Sequence, residues 1–204
     1  MNTIFTIGHS QHNIEHFISL LRMYDINCVI DVRSTPYSKY AETFNRERIN
    51  EELSRNGIRY FFMGEYFGAR QSKKELYTQD GYLDFERVQK EPTFIKGIQN
   101  VMLGIEQGNR VALMCTEKDP MDCHRAIMVS KSFADNGVSI HHILEDGSIQ
   151  TQEELENRML EKYYPERNQL SIFTYGNEES EQELVQRCYK KRNEEIGYRY
   201  MEGM

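Results

Sequence analysis

The sequence lacks the features that mark membrane-spanning, secreted or broadly nucleic-acid-binding proteins. None of its apolar runs approaches the roughly 20 residues needed to cross a bilayer. Its opening, Met-Asn-Thr-Ile-Phe, has neither the basic flank nor the long apolar stretch of a signal peptide. Positive charge is not in excess either, because the chain has 25 Lys and Arg residues and 32 Asp and Glu residues, for a net charge of −7. We therefore expect no membrane partner and no global attraction to nucleic acid.

Cysteine is also scarce. Cys28, Cys115, Cys123 and Cys188 are scattered over 204 residues, which does not predict a disulfide framework and favours a reducing cytoplasm. A chain of this length can bury a core of its own. We expect one α/β domain over residues 1–165 and a C-terminal extension over 166–204, packed on that core or on a second subunit. A two-fold homodimer is the default oligomer.

Short apolar runs alternate with amphipathic segments along the chain. The runs are continuous in apolar character, a pattern typical of strands buried on both faces of a parallel sheet. The segments between them carry apolar residues at helical spacing, as Phe17, Ile18 and Leu21 do after a candidate N-cap at Asn13. This alternation predicts an α/β fold, a Rossmann-like three-layer sandwich with a mostly parallel sheet of five or six strands and a C-terminal α/β appendage. The predicted strands lie near 3–7, 28–30, 58–62, 111–115 and 138–144, and the extension carries a predicted strand at 171–175 and a charged helix at 178–193.

Polar side chains follow several of these strands at the point where each strand ends. The carboxyl ends of parallel strands meet at one edge of a sheet, so these side chains are expected to gather there. A strand order of the 3-2-1-4-5 kind would place His9 opposite Cys115 across the crevice at the topological switch point. Asp31 and Arg33, at alternate positions, are expected to form an ion pair that orients a substrate or holds the loop.

The most informative segment is residues 111–125, Val-Ala-Leu-Met-Cys-Thr-Glu-Lys-Asp-Pro-Met-Asp-Cys-His-Arg. It predicts a strand ending at Cys115, a polar loop, and a helix capped by Asp122 whose first turn holds Cys-His-Arg. Free N–H groups and the helix dipole favour anions at such a place. A guanidinium also presents a planar fork to phosphate or carboxylate. We therefore expect His124 and Arg125 to contact an anionic ligand.

Each reactive side chain also has a structural interpretation. Cys115 is a nucleophile, since cations and helix N-termini lower the pKa of a thiol, or a small buried residue that finishes its strand. Cys123 is a second catalytic thiol or part of the core-facing side of its helix. His9 is a general base or a turn residue, and Ser10 contacts the ligand or helps cap the next helix. Glu117 is assigned to the same catalytic group.

A metal site is considered and not expected. Four side chains could offer the four donor atoms that tetrahedral zinc takes, namely those of Cys115, Cys123, His124 and His9. The spacing Cys-x7-Cys-His is not that of a zinc ribbon or finger, however, and adjacent Cys and His rarely both ligate one ion well. A phosphatase loop of the Cys-x5-Arg type is excluded, because Met121 stands six residues after Cys115. We predict no metal and no cofactor.

Residues 33–74 are locally basic and rich in aromatic side chains. They hold nine Lys and Arg residues against five acidic ones, with eight aromatics interleaved. Such a mixture can hold phosphates while aromatic rings stack on bases. The alternative is that the aromatics pin a long loop to the core while the charges face solvent.

Four motifs together resemble the domain of unknown function 488 family. They are Ile-Gly-His-Ser at 7–10, Ile-Asp-Val-Arg at 30–33 with Pro36, Leu-Met-Cys at 113–115 with Glu117, and Cys-His-Arg at 123–125. The resemblance spans roughly residues 3–150. It implies a small cytoplasmic prokaryotic α/β protein of Rossmann-like topology with a polar site at the rim of the sheet, and no settled activity. The positions it marks are His9, Ser10, Asp31, Arg33, Cys115, Glu117, Cys123, His124 and Arg125.

The leading hypothesis is an enzyme, or an enzyme-like binder, of a phosphate-bearing ligand such as a nucleotide or a nucleic-acid component. Arg33 and Arg125 would hold the anion, and Cys115 or His9 would supply the nucleophile or base of a hydrolase or transferase. An alternative is sulfur transfer through Cys115, because Ile-Asp-Val-Arg after a strand and a strand-end cysteine also occur in rhodanese-like proteins. A third hypothesis is that the protein is a non-catalytic module that binds nucleic acid or a partner through residues 33–74.

Overall fold

The computed structural model describes residues 2–10, 12–167 and 180–200. Within them, six strands form a single sheet. The strands are β1 (Thr3–Gly8), β2 (Cys28–Asp31), β3 (Arg59–Phe62), β4 (Val111–Cys115), β5 (Ser139–Ile143) and β6 (Ile149–Thr151). The first five run parallel to one another, and β6 pairs antiparallel with β5. The predicted α/β sandwich with a mostly parallel sheet is therefore confirmed.

The strands follow the order β3-β2-β4-β1-β5-β6, so the expected order 3-2-1-4-5 is wrong. β4 lies between β2 and β1, where it pairs with both. All five residues of β4 are buried, and a strand of that kind is stabilised by a neighbour on each side. β3 alternates exposed and half-buried positions, which suits the edge of a sheet. The first and fourth strands are still neighbours, which keeps their carboxyl ends together.

Helices cover both faces of the sheet and form the two outer layers of the sandwich. Phe17 and Leu53 belong to the core on one face, and Phe94 and Phe133 belong to the core on the other. The helices are α1 (Ile14–Met23), α2 (Arg46–Arg55), α3 (Gly64–Phe67), α4 (Phe85–Gln89), α5 (Pro92–Glu106), α6 (Lys131–Asp135), α7 (Gln152–Tyr163) and α8 (Glu181–Ile196), with 3-10 turns at Glu42–Phe44, Lys74–Leu76 and Pro120–Asp122 and a π-helix at Arg125–Ser130.

Two local features of the sequence mark the starts of α1 and α5. The side chain of Asn13 accepts a hydrogen bond from the backbone N–H of His16 at 2.7 Å, as a helix N-cap does. Pro92 begins α5, where its missing N–H costs no helical hydrogen bond. These local features fix two of the helices that face the sheet.

The start of the helix after β4 differs from the prediction. Asp122 does not cap it, because Asp119 caps the preceding 3-10 turn and Asp122 is the last residue of that turn. Cys123 is extended, with φ −129° and ψ 134°. The helical conformation begins at His124 and continues as the π-helix, a form common at functional sites.

The predicted strand at 171–175 lies outside the described residues. The helix expected at 178–193 is α8, which begins with a capping box formed by Ser180 and Glu183. Cys188 and Tyr189 of α8 are buried in the core that faces α5 and α6. Among the described residues, no helix combines the length and the apolar character that a membrane span requires.

Candidate functional site

Strands β1, β2 and β4 end side by side at one edge of the sheet. Gly8 of β1 is in register with Cys115 of β4, and Asp31 of β2 is in register with Met114. The backbone N–H of His9 donates to the carbonyl oxygen of Cys115 at 2.9 Å. The chain leaves β1 and β2 toward one face and β4 toward the other, and such a divergence opens a crevice at the carboxyl ends of strands.

Asp31 and Arg33 form the expected ion pair. The Asp31 carboxylate accepts hydrogen bonds from Arg33 Nε at 2.9 Å and Nη2 at 2.6 Å, and both side chains are buried. The Tyr60 hydroxyl donates to the same carboxylate at 2.7 Å, and Arg33 Nη2 also donates to the backbone oxygen of Phe44 at 2.9 Å. The pair therefore holds the loop after β2 against the 3-10 turn that ends at Phe44.

His9 is buried and both of its ring nitrogens are engaged. Nδ1 donates to the backbone oxygen of Ser10 at 3.0 Å, and Nε2 accepts from Arg33 Nη1 at 3.1 Å. The ring stacks on Phe44 with centroids 4.3 Å apart. Burial and the neighbouring Arg33 charge lower the pKa of His9 to about 4. In this arrangement His9 is a neutral acceptor that orients Arg33.

A second group of side chains lies beside this network. We call Cys115, Glu117, Cys123 and His124 the cysteine–histidine cluster. The thiols of Cys115 and Cys123 both contact Oε2 of Glu117, at 3.1 and 3.0 Å. Nδ1 of His124 lies 3.8 Å from the Cys115 sulfur. The four ligand atoms all lie within 4.8 Å of one another, so the structure brings three predicted catalytic residues and one predicted binding residue to a single point.

The electrostatics of the cluster separate its two thiols. Burial, together with the hydrogen bond to Cys123, raises the pKa of Cys115 well above its usual value. Burial alone would raise the pKa of Cys123, but its hydrogen bond with Cys115 and the charges of Arg125 and His124 outweigh burial and lower it. Burial and the charge of Cys123 raise the pKa of Glu117. The surroundings therefore shift the pKa values of the two thiols in opposite directions.

Arg125 is fully buried and serves the loop after β4. Its Nη1 and Nη2 atoms donate to the backbone oxygens of Glu117 and Lys118, at 2.5 and 3.2 Å. Its Nε atom donates to the Thr6 hydroxyl at 3.3 Å. The guanidinium thus fixes the backbone that carries Glu117 and does not face an anion from solvent.

Gly8 and Ser10 allow two chain segments to pass closely. A Cβ atom at position 8 would collide with the carbonyl group of Glu117. Ser10 has a φ of +44°, which is uncommon for a residue other than glycine, and its backbone N–H donates to the oxygen of Thr116 at 2.8 Å. The Gly-His-Ser motif therefore fits the end of β1 against the loop after β4.

A cavity of about 60 Å³ adjoins the cluster. Arg70 lies on its wall, with the guanidinium carbon 4.7 Å from the centre of the Tyr198 ring. No carboxylate pairs with Arg70 in the part of the chain that the structure describes. Neither Arg70 nor Tyr198 is predicted as a site residue from the sequence. Arg70 is one of nine cations in residues 33–74, and no sequence signal connects Tyr198 to this rim. The cavity is lined by Arg33, Ser34, Thr35, Arg70, Cys115, Thr116, Glu117, His124 and Tyr198.

Several of the cations in residues 33–74 have local partners. Arg48 and Arg55 form exposed ion pairs with nearby glutamates. By contrast, Lys39 is exposed and Tyr40 is 96% exposed. The region therefore contains both paired charges and one tyrosine that projects almost wholly into solvent.

The sheet and its rim define a doubly wound α/β protein with a buried cysteine–histidine centre at the carboxyl ends of its strands. The family model for the domain of unknown function DUF488 matches residues 13–131, more than half of the chain. The chain therefore belongs to the DUF488 family. No curated protein matches it significantly, and no solved structure does so either.

Proposed function

We propose that this protein is an enzyme that acts on a phosphate-bearing ligand at the carboxyl ends of β1, β2 and β4. The observation that carries the proposal is the position of Arg70 on the wall of the cavity beside the cluster. Its guanidinium lies against the Tyr198 ring and not against a carboxylate of the described residues. An arginine held by an aromatic ring keeps its planar donors for a phosphate or carboxylate.

The size of the cavity limits what part of the ligand enters it. About 60 Å³ accommodates a phosphoryl group but not a nucleoside, so the rest of a nucleotide or nucleic-acid end would lie outside. The cysteine–histidine cluster then supplies the acid, base or nucleophile next to the bound phosphoryl group. His9 and Arg125 act as positioning residues in this proposal, through Arg33 and through the loop that carries Glu117.

Thermal unfolding with phosphate probes tests the proposal. Inorganic phosphate, pyrophosphate and ATP are added separately, and a ligand at ten times its Kd adds about 1.4 kcal/mol to the stability of the folded state. We expect at least one probe to raise the Tm, and Arg70→Gln to abolish the shift. Arg48→Gln is the matched control, because Arg48 is an exposed arginine of the same region that pairs with Glu42. No shift with any probe, or an equal shift in Arg70→Gln, would contradict the proposal.

A second candidate is a nucleic-acid-binding surface around Lys39 and Tyr40, which the exposure of Tyr40 favours. Exposed aromatic rings stack on bases of single strands, and each stacked base is worth about 1–3 kcal/mol. We expect Tyr40→Ala to weaken binding of a short single-stranded oligonucleotide at least fivefold if this surface functions. Arg70→Gln separates the two candidates, since it removes phosphate binding in the cavity and leaves this surface intact.

A further inference from the structure

We infer that Cys115, Cys123 and His124, together with Glu117, bind one zinc ion. They offer two sulfur atoms, one ring nitrogen and one carboxylate oxygen, all within 4.8 Å of one another. Around tetrahedral zinc, bonds of about 2.0–2.3 Å place the ligand atoms about 3.3–3.8 Å apart. The distances of 3.1 Å from Cys115 to Glu117 and 3.8 Å from Cys115 to His124 lie close to this range. The widest separation in the cluster, 4.8 Å at most, must shorten by up to about 1 Å to enclose the ion.

The orientation of His124 independently indicates a ligand role. Its Nε2 atom lies 3.0 Å from the backbone oxygen of Val32, so the ring proton belongs on Nε2. When the ring is neutral, as a metal-binding histidine must be, the lone pair of Nδ1 points toward the sulfur of Cys115. A histidine that ligates a metal is usually fixed in this way, with its other nitrogen donating to a carbonyl or carboxylate.

The chemistry of the donor atoms in the cluster also suits a cation. Two thiols and one carboxyl group are directed at the same buried point, since both sulfur atoms contact Oε2 of Glu117. Ionising these acidic groups together in a buried site is costly unless a cation compensates them. Thiolate and imidazole ligands favour zinc over magnesium or calcium, which prefer oxygen ligands. Binding converts the thiols of Cys115 and Cys123 to thiolates and releases their protons to solvent.

The geometry removes the spacing argument against a metal. Adjacent residues on a regular helix diverge, but Cys123 is extended and His124 is helical. This change of backbone conformation between neighbours turns both side chains toward Cys115. The participation of Glu117, and not His9, in the set also differs from the combination that the sequence suggested.

The role of the zinc ion rests on the proposed function, whereas the presence of the ion does not. With four protein ligands, zinc beside the cavity would act as a Lewis acid on a phosphoryl oxygen or a bound water only by taking a fifth ligand or by exchanging the Glu117 carboxylate for it. Arg70 and Tyr198 would place the phosphate against that position. The zinc site itself requires only the cysteine–histidine cluster.

Metal content of purified variants tests the inference. The protein is reduced, equilibrated with zinc, dialysed and analysed for bound metal, with circular dichroism to confirm folding. We expect about one zinc per chain, and a loss of at least tenfold in Cys123→Ser and in His124→Ala. Cys28→Ser is the matched control, because Cys28 is also a buried cysteine but lies at the amino end of β2, and it should keep its zinc. Cobalt should give thiolate-to-metal absorption in the native protein and not in Cys123→Ser.

Two outcomes would overturn the inference. One is a folded, reduced native protein that binds no zinc, and the other is full zinc content in both Cys123→Ser and His124→Ala. If Cys123→Ser fails to fold, the cobalt spectrum of the native protein and the His124→Ala variant still decide the question. Zinc that survives in Arg70→Gln while phosphate binding is lost would separate the metal site from the proposed function.

Discussion

Asp31 carries a buried charge that the surrounding residues fully satisfy. Its two oxygens accept four hydrogen bonds, three from Arg33 and one from Tyr60. A buried ion pair of this kind is strongly coupled to its neighbours, since removal of one partner leaves an uncompensated charge. The pair is therefore expected to contribute more to the shape of the rim than the exposed ion pairs of the described residues.

Asp31→Ala is expected to lower the free energy of unfolding by about 3–5 kcal/mol, because Arg33 would remain buried without its counter-ion. Glu51→Ala is the control, since Glu51 pairs with Arg55 at the surface and such pairs contribute about 0–1 kcal/mol. Urea unfolding followed by circular dichroism measures both. Equal losses in the two variants would show that the Asp31–Arg33 pair contributes no more than a surface contact.

The sequence allows some of these residue contacts to be predicted and hides others. Alternate positions after a strand share a face, which suffices to pair Asp31 with Arg33. The hydroxyl of Tyr60 and the carbonyl of Phe44 join them only through the tertiary fold. Arg125 shows what the sequence cannot predict. An arginine in the first turn of a helix is typical of an anion-binding site, but here it binds the backbone carbonyls of the loop after β4.

At the scale of elements, α8 stabilises the 3-10 turn at Pro120–Asp122, which leads into the cysteine–histidine cluster. Arg192 of α8 is buried, and its Nε atom donates to the backbone oxygen of Met121 at 2.7 Å. The same side chain forms an ion pair with Asp122. The position of Cys123, the next residue, therefore depends on a helix that lies far from it in the sequence.

Arg192→Gln is expected to make Cys123 more accessible to a thiol reagent after the protein has been treated with a chelator. Loss of hydrogen bonds to a charged, buried group costs about 1–3 kcal/mol, which corresponds to a rise of about 5- to 150-fold in local opening. Labelling rates measured by mass spectrometry under native conditions test this. Lys190 is an exposed residue of α8 that pairs with Glu86 of α4. Lys190→Gln should therefore leave the labelling rate of Cys123 unchanged. An unchanged rate in Arg192→Gln would mean that α8 does not control the turn.

The elements themselves are largely predictable, and their arrangement is not. Continuous apolar runs and helical spacing locate β1 to β5 and α1 within a few residues. The insertion of β4 between β2 and β1 depends on how complete strands pack, and periodicity carries no such information. The late start of the helix at His124 depends on Asp119, whose side chain closes the preceding turn through the N–H of Met121.

At the scale of the whole molecule, two buried histidines make the fold sensitive to acid. Burial lowers the pKa of His9 to about 4 and that of His142 to about 3. The Thr6 hydroxyl and Gln152 hydrogen-bond the two ring nitrogens of His142. Both histidines are neutral in the folded protein, whereas the unfolded chain binds protons at each below about pH 6.5.

Stability is therefore expected to fall as the pH drops from 6.5 toward 4, because the unfolded state binds more protons than the folded state. Each histidine contributes a loss of about 2 kcal/mol between pH 7.5 and pH 5. Urea unfolding at pH 7.5 and pH 5 measures the total, and the difference between the two should shrink by about 2 kcal/mol in His142→Gln. His16→Gln, at a half-buried position of α1, should retain the native difference. A native-sized difference in His142→Gln would place the acid sensitivity elsewhere.

The brace between Arg192 and Asp122 has a consequence for biosynthesis. The two residues lie 70 positions apart, and a ribosome adding about 5–20 residues per second needs about 4–14 seconds to reach the second from the first. A nascent chain that already contains both thiols and the imidazole therefore waits several seconds before this supporting helix exists. A newly made molecule would consequently complete the geometry of the cysteine–histidine cluster only after α8 has been synthesised.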